Sequence, residues 1–456
     1  MSELKYNVNM TEGKILPAML SFAVPLMFSS VLQLLFNAAD VVVVGRFSGE
    51  NSLAAVGSTA TLINLLTNLF LGLSVGANVT VARFHGARLE ADLSKAVHTT
   101  MTLSVISGVI MTFVGFFGAH WMLSLMQTPP EVIDLATDYL QIYFLGVTAM
   151  MVYNFGAAIL RAVGDTKRPL YYLLVSGVLN VILNLVFVIG FKMDVSGVAL
   201  ATVMSEVLSA VLVVMCLMRE GGGIRLDLKK LGIDKAKLIS IISIGLPAGF
   251  QGVLFSLSNV VIQSSVNGFG NIVVAGNSAA QNIEGFVYVA MNSFHQAAIS
   301  FTGQNYGAGK YDRIGKVAGC ALGCVTVTGV VLGWGAFFLA TPLLSIYSNN
   351  PDVIAAGTIR LSLVSATYAL CGFMDVLVGV LRGIGRSILP MAISLVCICG
   401  FRLLWLGTVF QQPEFHVIRM VYMSYPVSWI LAITAMLICY FIEKRKLDRM
   451  ALQAEG

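Results

Sequence analysis

Charge is scarce in this chain of 456 residues. Asp, Glu, Lys and Arg make up 11% of it, against about 25% in soluble domains. Hydrophobic residues reach 57%, above the roughly 45–50% of soluble domains. So few charges cannot cover a water-facing surface, which excludes a large soluble catalytic domain and leaves a polytopic membrane protein. No G-x-x-x-x-G-K-[ST] loop occurs, so no ATP-binding motor is recognisable, and no H-E-x-x-H pair occurs. The net charge of +5 is modest and does not read as a nucleic-acid footprint. Seven cysteines, an odd number, all lie in apolar stretches, so a disulfide framework is not indicated. Cys320 and Cys324 stand one helical turn apart without a nearby histidine and read as buried thiols, not metal ligands. The first fourteen residues lack the basic start, short apolar stretch and cleavage site of a signal peptide, so the first apolar segment is expected to be retained.

What is present is a series of apolar runs. A spanning helix needs about 20 mostly apolar residues. Twelve are predicted, at 15–44, 52–77, 96–119, 132–157, 169–190, 195–218, 238–265, 272–300, 314–340, 352–380, 388–410 and 417–442. Orientation follows Lys and Arg in the short loops. With the N-terminus inside, only Arg46 and Lys192 of the 28 basic residues fall in outside loops. Arg360, Arg402 and Arg419 lie within or against spans, and the remaining 23 are inside. Both termini are therefore expected in the cytoplasm. The longest hydrophilic stretch, 219–237, reads as a cytoplasmic linker, in part a surface-lying amphipathic helix.

The chain repeats itself at a shift of 221 residues. Leu160-Arg161-x-x-Gly164 and Pro169 meet Leu381-Arg382-x-x-Gly385 and Pro390; Gly86-Ala87 meets Gly307-Ala308. Near the start, at 222, Pro25 and Asn37 meet Pro247 and Asn259. The expected organisation is an N-terminal six-helix lobe (1–218), the linker (219–237), a C-terminal six-helix lobe (238–442) and a cytoplasmic tail (443–456). Six is even, so both repeats enter the membrane in the same direction. Such parallel repeats commonly build secondary transporters with substrate bound between the halves. A membrane-embedded enzyme would need a clustered nucleophile, metal site or paired acids, and none is visible.

Ionisable groups inside a bilayer are costly and are functional candidates. Here the acids are Asp40, Glu206, Glu284 and Asp375. Gln33, Asn37 and Asp40 share one helix face at i, i+4 and i+7. Asn180 and Asn184 form a second polar stripe, with Thr202 as a plausible neighbour. Either Glu284 or Asp375 would attract a cation if it faced a water-filled space, or would pair with Arg360 or Arg402. Asn154 stands where Asp375 stands in the second repeat. Tyr139 and its neighbours, with Met150 and Met151, suit an adaptable lining. Pro25 kinks its helix and marks a bending point, repeated at Pro247. The polar cluster has no second copy: Asn180 maps to Phe401, Asn184 to Trp405, and Asp40 to Val261 or Ile262.

Gly303-Gln304-Asn305-Tyr306-Gly307-Ala308-Gly309, ahead of Asp312-Arg313, resembles the loop signature of the MATE (multidrug and toxic compound extrusion) family. Leu381-Arg382-Gly383-x-Gly385 and Asn37-x-x-Asp40-x-x-x-x-Gly45-Arg46 resemble two further blocks. The resemblance covers about residues 12–442. It implies an all-α membrane protein whose two six-helix lobes form a V-shaped cleft. The implied activity is proton- or sodium-coupled antiport, by alternating access, of cationic or amphipathic organic compounds across the plasma membrane. No cofactor beyond the coupling ion is implied. The implied partners are such compounds and membrane lipids, with no nucleic acid, and the protein is expected to act as a monomer. Asp40, Asn180, Asn184 and Thr202 look like the family's ion-coupling cluster. Gln33, Asn37, Tyr139, Asn154, Glu284 and Asp375 are the candidates for lining the substrate path. The chain departs from the pattern at Asn184, where many prokaryotic relatives have Asp. The alternative is a flippase for lipid-linked saccharides from the same wider superfamily, which would be expected to show a strongly basic cavity.

Overall fold

The computed structural model describes residues 7–455, so Met1–Tyr6 of the first expected lobe and Gly456 of the tail lie outside the described residues. Among these residues twelve long helices follow one another: α1 (Ile15–Phe47), α2 (Glu50–Gly86), α3 (Glu90–Leu125), α4 (Pro130–Ala162), α5 (Lys167–Gly190), α6 (Asp194–Arg219), α7 (Lys235–Asn267), α8 (Asn271–Gly307), α9 (Tyr311–Phe338), α10 (Pro351–Gly383), α11 (Ile388–Gly407) and α12 (Ile418–Glu455). Each contains one of the twelve predicted spans or most of it. Among the described residues, eleven of the helices are long and apolar enough to cross a membrane. The remaining one, α8, has the length but is enriched in polar side chains, with Asn277, Glu284, His295, Gln304 and Asn305 all buried within the protein. Large apolar residues face outward instead. Phe117 and Phe338, equivalent in the two repeats, are 75% and 70% exposed, a surface suited to lipid.

Among the described residues, three spans are not continuous α-helix. In α5 the six residues after Asn184, Leu185–Gly190, form a wider π turn, and Leu395–Gly400 do the same in α11. A 3-10 turn, Ser365–Thr367, interrupts α10. The repeat is written into the backbone as well. Gly49 and Gly270, and Gly164 and Gly385, share a positive φ at the 221-residue shift, and Arg88 adopts one where the second copy has Gly309. Glycine has no Cβ to clash in that conformation, so the loops keep it at most of these corners.

The helices assemble into two units, and their border does not fall at the linker. One unit is Phe28–Gly249 with Asn7 and Val8; the other is Asn9–Met27 and Phe250–Glu455. Each border lies inside a helix, about three residues past Pro25 in α1 and past Pro247 in α7. The first half of α7 belongs with α2 because glycines allow it. Gly72-x-x-x-Gly76 on α2 faces Gly245-x-x-x-Gly249 on α7. A Cβ at Gly76 would sit 2.1 Å from the Ile241 carbonyl oxygen, and one at Gly249 2.2 Å from that of Leu69. Small residues at four-residue spacing let helix backbones meet in a membrane, where no hydrophobic force draws helices together.

Segment 219–237 is docked, not a free tether. The Gly223 N–H donates to the Glu90 carboxylate, the Asp227 N–H to His98 Nε2 (3.1 Å) and the Asp234 N–H to Thr99 Oγ1 (3.0 Å). Lys237 pairs with Asp92 at 2.8 Å. In place of an amphipathic surface helix, two 3-10 turns, Gly222–Ile224 and Leu228–Lys230, carry the segment along the start of α3. The second unit holds the stretch before α1 in a comparable way. Asn305 donates to the Met10 carbonyl (3.0 Å), Lys310 to that of Thr11 (3.0 Å), and Arg313 to those of Glu12 and Gly13. The Gly303–Gly309 signature is thus an anchor for backbone.

Candidate functional site

The first unit gathers Asp40, Asn180, Asn184 and Thr202, from α1, α5 and α6. Asn184 Nδ2 donates to the Asp40 carboxylate and, at 3.2 Å, to Asn180 Oδ1. Asn180 Nδ2 donates in turn to Thr202 Oγ1 at 3.4 Å, and Thr202 donates to the Val198 carbonyl at 3.0 Å. Asn180 is 5% exposed and Asn184 is fully buried, whereas Asp40 is half-buried. The one-turn spacing of the asparagines places both on the α1-facing side of α5, and the π turn starts at the next residue. No cation pairs with Asp40 among the described residues. Asn184 Oδ1 is buried with no partner, an acceptor left open beside the carboxylate.

The remaining candidates of this unit lie around that chain of hydrogen bonds. Gln33 and Asn37 are on the Asp40 face of α1 and exposed. Tyr139 is buried in the apolar core and stacked on Tyr143 with ring centroids 6.1 Å apart. It is therefore packed core and not an open lining. Asn154, half-buried, donates to the Met150 carbonyl one turn earlier at 2.9 Å. Pro25 lies inside α1 and is buried.

The second unit carries a different set of buried polar groups. Arg360 Nε and Nη2 donate to the two oxygens of Glu284 at 3.1 and 2.7 Å, and Nη1 donates to Asn277 Oδ1 at 2.9 Å. Tyr422 donates to the same amide oxygen at 3.1 Å, and Asn277 Nδ2 donates to Gln263 at 3.0 Å. Glu284 is 3% exposed, so its charge is spent on Arg360 and is not presented to a solute. Asp375 differs: it is half-buried, accepts from the Tyr288 hydroxyl and lies within electrostatic reach of Arg382. Its backbone carbonyl accepts from His295 Nδ1 at 2.5 Å. Arg382 donates to Gln251 at 2.6 Å, and Gln251 donates to Ser394 at 2.8 Å. Arg402 donates to Ser428 at 3.0 Å and lies 4.2 Å from the centre of the Tyr425 ring. Reading the sequence missed Asn277, Gln251, Tyr288 and Tyr422. Asn277 and Glu284, seven residues apart on one face of α8, were the available signal.

Long apolar helices in two repeated sets, with isolated acids held inside them, define a membrane transporter and not an enzyme. The MatE family model matches residues 25–186 and again 247–405, and the chain belongs to that family. It is 27% identical over 433 residues, 93% of each chain, to the probable multidrug resistance protein YoeA of Bacillus subtilis. It is 22% identical to the multidrug export protein MepA of Staphylococcus saprophyticus, over 84% of this chain and 85% of that one. The fold matches a solved outward-facing multidrug resistance MATE transporter of the MOP superfamily with a TM-score of 0.89 and 22% identity, covering 98% of this chain and 100% of the other.

Proposed function

We propose that this protein is a cation-coupled antiporter that exports cationic or amphipathic organic compounds by alternating access, with a proton as the coupling ion. The observation that carries this reading is Asp40: an ionisable group within a span, held by a neutral amide and without a counter-cation among the described residues. A charge so placed is stabilised by taking up a proton or by holding a cation, and the two exclude each other at one carboxylate. A proton arriving from outside discharges Asp40 and releases what it held; loss of the proton to the inside restores the site. The oxygens around it suit sodium less well. Asp40 is the one carboxylate of the cluster, the others being amide and hydroxyl oxygens, whereas hard cations favour carboxylates. The names of YoeA and MepA support drug-like cargo. The reading places the chain in the plasma membrane as a monomer, with both termini in the cytoplasm. Asp375, half-buried in the second unit, is the acid that would influence which cations are carried. A flippase is less well supported, because Arg360 is tied to Glu284 and Arg402 to Ser428, which leaves neither as a free phosphate binder.

The test is transport of a fluorescent organic cation by purified protein in liposomes, under a proton gradient and a sodium gradient separately. Accumulation on the acidic side is expected. Accumulation under neither gradient would overturn the reading, and accumulation under the sodium gradient alone would replace the proton by sodium.

A further inference from the structure

One acid in the spans has no role so far. Glu206 lies on α6, one turn beyond Thr202 and on the same face. Its carboxylate makes no hydrogen bond or ion pair among the described residues, in contrast to Asp40, Glu284 and Asp375. With Thr202, Tyr143, Gly146, Val147, Met150 and Val203 it lines a cavity of about 10 Å³ between α4 and α6. That is room for about one water molecule and for no organic cation.

We propose that Glu206 is a second proton site, joined to Asp40 through Thr202, Asn180 and Asn184, so that two protons enter for each monovalent cation exported. This rests on the proton-coupled reading above. An unpaired carboxylate inside a span is costly as an anion, and among the described residues no cation pairs with Glu206. On α4 the titratable groups towards it are Tyr143 and Tyr153, and Arg161 lies in the last turn of that helix. On α5, Arg168 is engaged by Asp165 and Glu220, and Lys167 precedes it at that same end of the helix. On α6 itself, Asp194 is about 18 Å away along the axis, and Arg219 and Glu220 about 20 Å. On α2, Arg83 and His85 lie in the last turn. Asp40 on α1 shares its interaction with Tyr143. A water in the cavity would bridge the Thr202 hydroxyl and Glu206 and bring the proton to the carboxylate, while the amides of Asn180 and Asn184, which relay no proton, link its charge state to Asp40 through their hydrogen bonds. The Asn at position 184 leaves that cluster one carboxylate, and Glu206 supplies the other from the next turn of α6.

The stoichiometry can be read from static-head accumulation in liposomes. Two protons against one monovalent cation move one net charge, so the gradient should rise about 50-fold per 100 mV, from about 2.3 kcal/mol per charge. It should rise 100-fold per pH unit. Glu206→Gln should lose the voltage dependence and fall to tenfold per pH unit, while Glu206→Asp keeps both slopes. A readout without turnover is proton release when tetraphenylphosphonium binds the detergent-purified protein in weak buffer: two protons for the wild type and one for Glu206→Gln. The proposal is overturned if the wild type shows no voltage dependence, if Glu206→Gln behaves as wild type, or if both release one proton. An electroneutral, pH-driven wild type would overturn this proposal and leave the proton-coupled reading standing. A wild type that ignores the pH gradient would overturn that reading itself.

Discussion

Two acids read as functional candidates, Asp40 for ion coupling and Glu284 for the substrate path, are held in opposite ways. Asp40 has a neutral donor and an open acceptor beside it, whereas Glu284 is locked to Arg360 by charge-assisted hydrogen bonds. Asp40→Asn mimics the permanently protonated state, so gradient-driven export should vanish while the protein remains folded, as size-exclusion chromatography and a thermal melt would show. Asp375→Asn should instead change the affinity or the choice among cations, measured with two chemically different substrates. Glu284→Gln leaves the Arg360 charge buried without its partner. Breaking a buried pair in this way costs about 3–5 kcal/mol, whereas exchanging both residues for apolar ones of similar volume costs much less. The melting temperature of Glu284→Gln should fall, and Glu284→Met with Arg360→Met should recover most of the loss. A double variant no more stable than the single would show that the pair is not the unit of stability.

At the level of the helix, the apolar runs made the twelve spans legible because hydrocarbon demands about 20 apolar residues from any helix it surrounds. The same rule explains the exception: α8 is packed inside its unit and is released from that demand. Two polar stripes were legible too, Gln33, Asn37 and Asp40 on one helix and Asn180 and Asn184 on another, since periodicity places residues on faces. Which helix a face would meet was not legible, because the sequence records spacing and not neighbours. The π turn after Asn184 left no signal in composition. The α2–α7 contact did leave one, in Gly72-x-x-x-Gly76 and Gly245-x-x-x-Gly249. Gly76→Ala should lower the melting temperature by several degrees, in line with about 1–3 kcal/mol for overpacking. Gly57→Ala on the same helix, where a Cβ meets nothing within 4 Å, should not. Equal effects would remove the close approach as the cause. Pro25 stands close to the border between units within α1, so Pro25→Ala is expected to slow turnover more than it weakens binding. Unchanged turnover in liposomes would exclude it as a bending point.

For the molecule as a whole, the charge asymmetry of the loops predicts that Lys230 and Arg449 both face the cytoplasm. Single cysteines at these exposed positions, in a cysteine-free background, should react only with reagents that enter the cell. Labelling from outside would overturn the topology. The repeat was plain in the sequence, but the exchange of half-helices was not, since each half-helix is covalently continuous with the unit it leaves. That exchange sets an order of manufacture. A ribosome makes the start of α1 first, yet the unit it completes begins to appear only after residue 249. The first unit, in turn, stays unfinished until the opening half of α7 emerges. Neither half of the gene encodes a whole folding unit, so a nascent chain must hold unmatched helix surfaces through most of its synthesis. Cutting the gene within the 219–237 segment should therefore yield two products that are degraded when made singly and accumulate when made together.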